Sequence, residues 1–148
     1  MVDGILLNWL KACPCPCHSF VELLDLYPTT AALCGLKVPG RLQGKDISRM
    51  LDDPEHEVRK GAFCVAPMRK GFLLRDRNWA YLQYGEEAAG GRELFNMVKD
   101  PGQFTNLAGN ASHAAIPLSC ADRLATKLKA IRTNDLGISY KRPGARKK

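Results

Sequence analysis

The stretch Gly71-Phe72-Leu73-Leu74-Arg75-Asp76-Arg77-Asn78-Trp79-Ala80-Tyr81-Leu82-Gln83-Tyr84 decides the fold. Two runs rich in aromatic and branched apolar residues, 71–75 and 78–84, flank a tight polar turn at Asp76 and Arg77. That pattern predicts an antiparallel β-hairpin. Side chains alternate across a strand, so Trp79 and Tyr81 fall on one face, where both can pack beneath a helix. Arg75 stands where it can pair with a carboxylate across the sheet or remain exposed.

Working outward, residues 62–66 read as a strand before the hairpin, and 92–97 as one after it, beyond a loop over 85–91. Asp100-Pro101-Gly102 is a turn, because proline fixes φ and glycine accepts φ > 0. A final helix is predicted over 119–132. Ser119 and Asp122 form a near capping box there, and Leu124, Leu128 and Ile131 make an apolar stripe at helical spacing. Upstream, a helix takes Pro28 in its first turn, where a missing N–H is no loss, and ends at Gly35 in a left-handed conformation. After a turn-rich link over 39–45, Asp46 is expected to cap a short helix over 47–51, closed by Pro54. Asp25 and Asn106 suit the capping of backbone N–H groups in turns. The fold class is α+β: a small antiparallel sheet of three to four strands, a C-terminal helix packed on it, and short helices before it. No internal repeat is present.

At 148 residues the chain amounts to about one domain, large enough for a real core. Its 45% hydrophobic and 25% charged residues are ordinary for a globular protein. The net charge of +7 is confined: residues 121–148 hold nine Lys and Arg against Asp122 and Asp135, so residues 1–120 sum to zero. A uniformly basic nucleic-acid-binding face is therefore not expected. Residues 134–148 read as a disordered basic tail. No run approaches the roughly 18 apolar residues of a membrane span. Asp3, Asn8 and Lys11 argue against a secretory leader at the start, and the compartment stays open.

Cys13, Cys15 and Cys17 alternate with prolines, a spacing unlike the C-x-x-C turns that bring two thiolates to one zinc ion. Cys34 and Cys64 read as small buried hydrophobes. His18, His56 and His113 have no helical pairing. Asp52-Asp53, before Pro54, reads as a solvated acidic turn.

The order of these pieces resembles the C-terminal subdomain of the sulfatase family, most of all its iduronate-2-sulfatase-like members. Val21-Glu22-Leu23-Leu24-Asp25-Leu26-Tyr27-Pro28-Thr29 resembles the family's V-E-L-x-D-L-[FY]-P-T entry, and Gly35-Leu36 its A-G-L helix end. Leu42-Gln43-Gly44-Lys45-Asp46 resembles the L-Q-G-x-[SD] link, and Leu51-Asp52-Asp53-Pro54 the L-x-D-P ending. The 71–81 stretch resembles the G-[YF]-x-[IL]-R-x-x-x-[WY]-[RK]-Y hairpin, with Ala80 where a basic residue is usual. Glu93-Leu94-Phe95-Asn96, Asp100-Pro101 and Thr105-Asn106-Leu107-Ala108 resemble the E-L-Y-D, D-P and N-L-A segment, with Asn96 for the usual Asp. Pro117 is a further departure. The resemblance covers residues 19–133; residues 1–18 match nothing in the family.

The resemblance implies a subdomain of the alkaline-phosphatase-like superfamily whose normal partner is the catalytic part of the same sulfatase chain. A full-length member would hydrolyse a sulfuric ester with a formylglycine made from the Cys of C-x-P-S-R and a divalent cation, expected to be calcium. No C-x-P-S-R or C-x-A-S-R occurs in this sequence. No catalytic residue, cofactor-binding residue or metal ligand is therefore assigned, and the chain is expected to be inactive alone. Read this way it is a truncated sulfatase product with an orphaned apolar face and a tendency to self-associate. The alternative from another class is an autonomous interaction module that binds polyanions through its basic tail.

Overall fold

The computed structural model describes residues 16–66 and 70–132. Four strands, β1 (Gly61–Ala66), β2 (Gly71–Asp76), β3 (Trp79–Tyr84) and β4 (Arg92–Asn96), form one antiparallel meander in sequence order. Helix α1 (Leu26–Leu33) precedes the sheet and α2 (Ala115–Arg132) follows it. Short 3-10 turns lie at Leu23–Asp25, Ser48–Leu51 and Ala111–His113. The hairpin forms as its sequence demands. Its turn is held by Asp76, whose Oδ1 accepts the amides of Asn78 at 3.1 Å and Trp79 at 2.8 Å.

Register fixes which residues share a face. Phe63 lies opposite Leu74, Leu74 opposite Tyr81, and Tyr81 opposite Leu94. This row is the floor on which α2 sits. Cys120, Leu124 and Leu128, one turn apart along α2, pack onto Tyr81 and Leu94 to form the main core, with Phe72, Trp79 and Ile131 at its margin. The opposite face carries a smaller cluster of Ala80, Phe95 and Met97, flanked by Leu73 and Leu82. Apolar residues on both faces explain why the strands read as near-continuous hydrophobic runs rather than a strict alternation.

Tyr81 is fully buried, so its hydroxyl needs a partner. It donates to Gln83 Oε1 at 2.7 Å, and Gln83 Nε2 in turn donates to the carbonyls of Gly85 and Glu86. Burial pushes the Tyr81 phenol above its ordinary pKa. Tyr81→Phe leaves the Gln83 oxygen unpaired inside the core. We expect a loss of about 1–2 kcal/mol, read as a lower urea midpoint at unchanged m-value.

Three expectations are corrected. Helix α2 starts at Ala115, four residues before the predicted start, and Ser119 and Asp122 are exposed side chains within it rather than a cap. Pro117 is buried in the first turn, where the amide it lacks would have had no intrahelical acceptor. The capping comes earlier, from Asn110, whose side chain accepts the Ser112 amide ahead of the Ala111–His113 turn. Cys34 and Cys64 are exposed, not buried. Cys34 caps the end of α1 at the surface, and Cys64 lies on the sheet's outermost strand, on the face away from α2. The predicted helix over 47–51 is a single 3-10 turn from Ser48, although Asp46 does accept the Ser48 amide at 2.8 Å.

Gly35 ends α1 with φ +67, as its position predicted. Residues 1–15 and the tail, 133–148, lie outside the described residues, so Cys13, Cys15 and the basic stretch carry no structural account. Among the described residues no helix is long and apolar enough to cross a membrane.

Candidate functional site

The best-organised polar cluster in the described chain centres on Asp25. This carboxylate has no exposed surface. The Leu23–Asp25 turn orients it. Its Oδ2 accepts the Glu22 amide at 2.7 Å, and its Oδ1 accepts the Lys45 amide at 2.8 Å. Arg59 completes the set with a bidentate grip, Nη2 to Oδ1 at 2.6 Å and Nη1 to Oδ2. The guanidinium is itself mostly buried, with side-chain exposure of 10%. Burial would raise the Asp25 pKa, but the Arg59 hydrogen bonds, the two backbone amides and the guanidinium charge outweigh it and hold the carboxyl at about 2.

Neighbouring residues extend the tie. Thr29 Oγ1 donates to the Asp25 carbonyl at 2.6 Å and accepts the Ile47 amide at 3.0 Å. Gly44 passes so close beneath Leu24 that a Cβ would stand 1.9 Å from the Leu24 carbonyl oxygen, which only glycine permits. Glu22 Oε1 accepts the amide of Phe63 at 2.9 Å, capping an outward N–H of β1. One carboxylate and its neighbours thus fasten the start of α1, the 43–47 link, Arg59 and the sheet edge together. Every lone pair used is turned toward protein, and this arrangement holds structure rather than substrate.

A second polar anchor matches the expectation for Asn106. Its Oδ1 accepts the amides of Leu94 at 3.0 Å and Ala108 at 2.9 Å, and the Leu107 amide donates to the Leu94 carbonyl at 2.8 Å. Trp79 and Tyr81 lie under α2 as expected. Arg75 is half-buried and forms no ion pair with any described carboxylate. Asp53 accepts the Glu55 amide and approaches Arg49 at 3.9 Å, the behaviour of a solvated turn.

Two open clefts adjoin the cluster. One, of about 620 Å³, lies between α2 and the β1–β2 strands and is edged by Lys60, Asp122, Arg123 and Lys127. There Lys127 Nζ sits 6.0 Å from the Phe63 ring centroid, and Arg123 pairs with Asp76 at 3.2 Å. The other, about 470 Å³ and largely apolar, runs along the sheet edge between Leu23, Val65 and Ile131. Neither brings a nucleophile to hydrogen-bond distance of a base. The histidines do not converge: His18 is exposed, the His56 carbonyl accepts from Ser19, and His113 packs edge-on against Trp79 at 5.7 Å. Among the described residues no three His, Cys, Asp or Glu side chains are grouped to hold a metal ion.

Sequence reasoning missed Arg59 as the partner of Asp25 and Glu22 as the cap on β1. No periodicity links residues 34 and 41 positions apart. The one available hint was a buried carboxylate's need for a cation.

No family model matches the chain. Among curated proteins it is 26% identical over 101 residues to arylsulfatase K of Xenopus laevis, covering 60% of this chain and 19% of that protein. It is 27% identical over 125 residues to an ulvan-active sulfatase of Formosa agariphila, covering 79% and 23%. Among solved structures it superposes on a 2-O GAG sulfatase with TM-score 0.61 at 22% identity, covering 78% of this chain and 26% of that one. It superposes on the phosphonate monoester hydrolase of Agrobacterium radiobacter with TM-score 0.57 at 25% identity, covering 72% and 24%. The chain spans about a fifth of the length of the curated relatives it matches. In sequence and in fold, then, this chain is similar to one portion of the sulfatases, a four-stranded antiparallel sheet with its helix from the alkaline-phosphatase-like fold.

Proposed function

We propose that this chain acts as the C-terminal structural subdomain of a sulfatase of the iduronate-2-sulfatase type, and that it does not hydrolyse sulfate esters on its own. The observation that carries this reading is the Asp25 cluster. Among the described residues the most strongly perturbed carboxylate is spent on backbone amides and Arg59, with none of its oxygens left for a substrate. The chemistry belongs to a catalytic part supplying the formylglycine, the divalent cation and the sulfate pocket. The similarity to sulfatases in sequence supports the reaction class, and the motif pattern of residues 21–29 and 71–81 supports the iduronate-2-sulfatase type.

The test uses the full 148-residue chain with 4-nitrocatechol sulfate and calcium. We expect no turnover from the chain alone. Turnover should appear when the chain is added to a sulfatase catalytic part from which the matching segment has been removed, and the two should co-elute. Hydrolysis by the chain alone, or failure to bind and rescue, overturns the reading. A rescued activity toward phosphonate monoesters but not sulfate would keep the structural role and replace the substrate class.

The exposed apolar residues bear on the same proposal. Leu23, Leu24, Leu26, Tyr27 and Leu36 are each more than half exposed at the start of the described chain. Large apolar side chains gathered in this way mark surfaces that another body covers. In isolation we expect concentration-dependent self-association by light scattering, reduced by Leu23→Lys with Leu26→Glu at unchanged secondary structure.

A further inference from the structure

We draw no further inference here: the strongest candidate, the apolar groove along the outer edge of β1 between Leu23, Val65 and Ile131, carries nothing because nothing in the structure shows what covers it.

Discussion

Replacing Arg59 with methionine is expected to cost about 3–5 kcal/mol, a large part of the 5–15 kcal/mol that usually holds a domain of this size together. The substitution keeps much of the stem's volume and removes the guanidinium. Asp25 is then a fully buried carboxylate with two amide donors and no countercharge. It must either stay ionised in a poor environment or take up a proton, and both routes favour unfolding. Urea denaturation followed by far-UV circular dichroism reads the effect directly. A midpoint within experimental error of the unchanged chain would show that Arg59 contributes little. The pH dependence follows from the same group. The folded Asp25 pKa, about 2, lies below its ordinary 3.8. Its stabilisation is therefore fully present above pH 4 and is lost as pH falls from about 4 toward 2. The shift corresponds to about 2 kcal/mol, and Asp25→Asn should flatten the stability profile across that window. Asn keeps an oxygen for one amide but presents its NH₂ to the other and to Arg59, so the variant should also be weaker at pH 7.

Leu124→Ala is the second large effect, expected at about 2–5 kcal/mol. Leu124 is 1% exposed and is the middle member of the α2 stripe, with Cys120 and Leu128 one turn away on either side. Beneath it lie Tyr81 and Leu94, both without exposed surface. These neighbours belong to the paired strands β3 and β4 and cannot readily collapse into the space, so the cost should fall in the upper half of the range. Leu118→Ala is the natural control. It sits on the same helix with 58% exposure, and its loss should stay near 0.5 kcal/mol. Equal effects at the two positions would mean that α2 is not seated on the sheet as described.

The hairpin was legible because its signals are local. Two apolar runs, their aromatic content and an Asp in the turn all lie within fourteen residues, and the structure uses each of them. The helix stripe was legible for the same reason. The start of α2 was not, because Pro117 looks like a break to anyone who does not know how many amides a first turn leaves unpaired. Cys34 and Cys64 were misjudged because apolar character does not tell that a helix end lies at the surface or that a strand lies at the sheet's edge. Asp25 was recognisable as a capping residue, but not as half of an ion pair, since its partner comes from a polar stretch, Glu55-His56-Glu57-Val58-Arg59-Lys60, with no pattern of its own. Of the polar anchors, Asn106 was legible as a turn cap because the amides that donate to it, those of Leu94 and Ala108, lie within twelve residues of it.

The Asp25–Arg59 and Glu22–Phe63 ties span 34 and 41 residues. On a ribosome adding roughly 5–20 residues per second, the segment from Glu22 to Asp25 emerges about 2–8 s before its anchors have been made. During that interval Leu23, Leu24 and Leu26 have neither Arg59 nor the β1 edge to position them. The sheet, whose pairings are all between sequence neighbours, closes without waiting. In that interval the segment carrying Leu23, Leu24 and Leu26 is untethered beside a sheet still being completed.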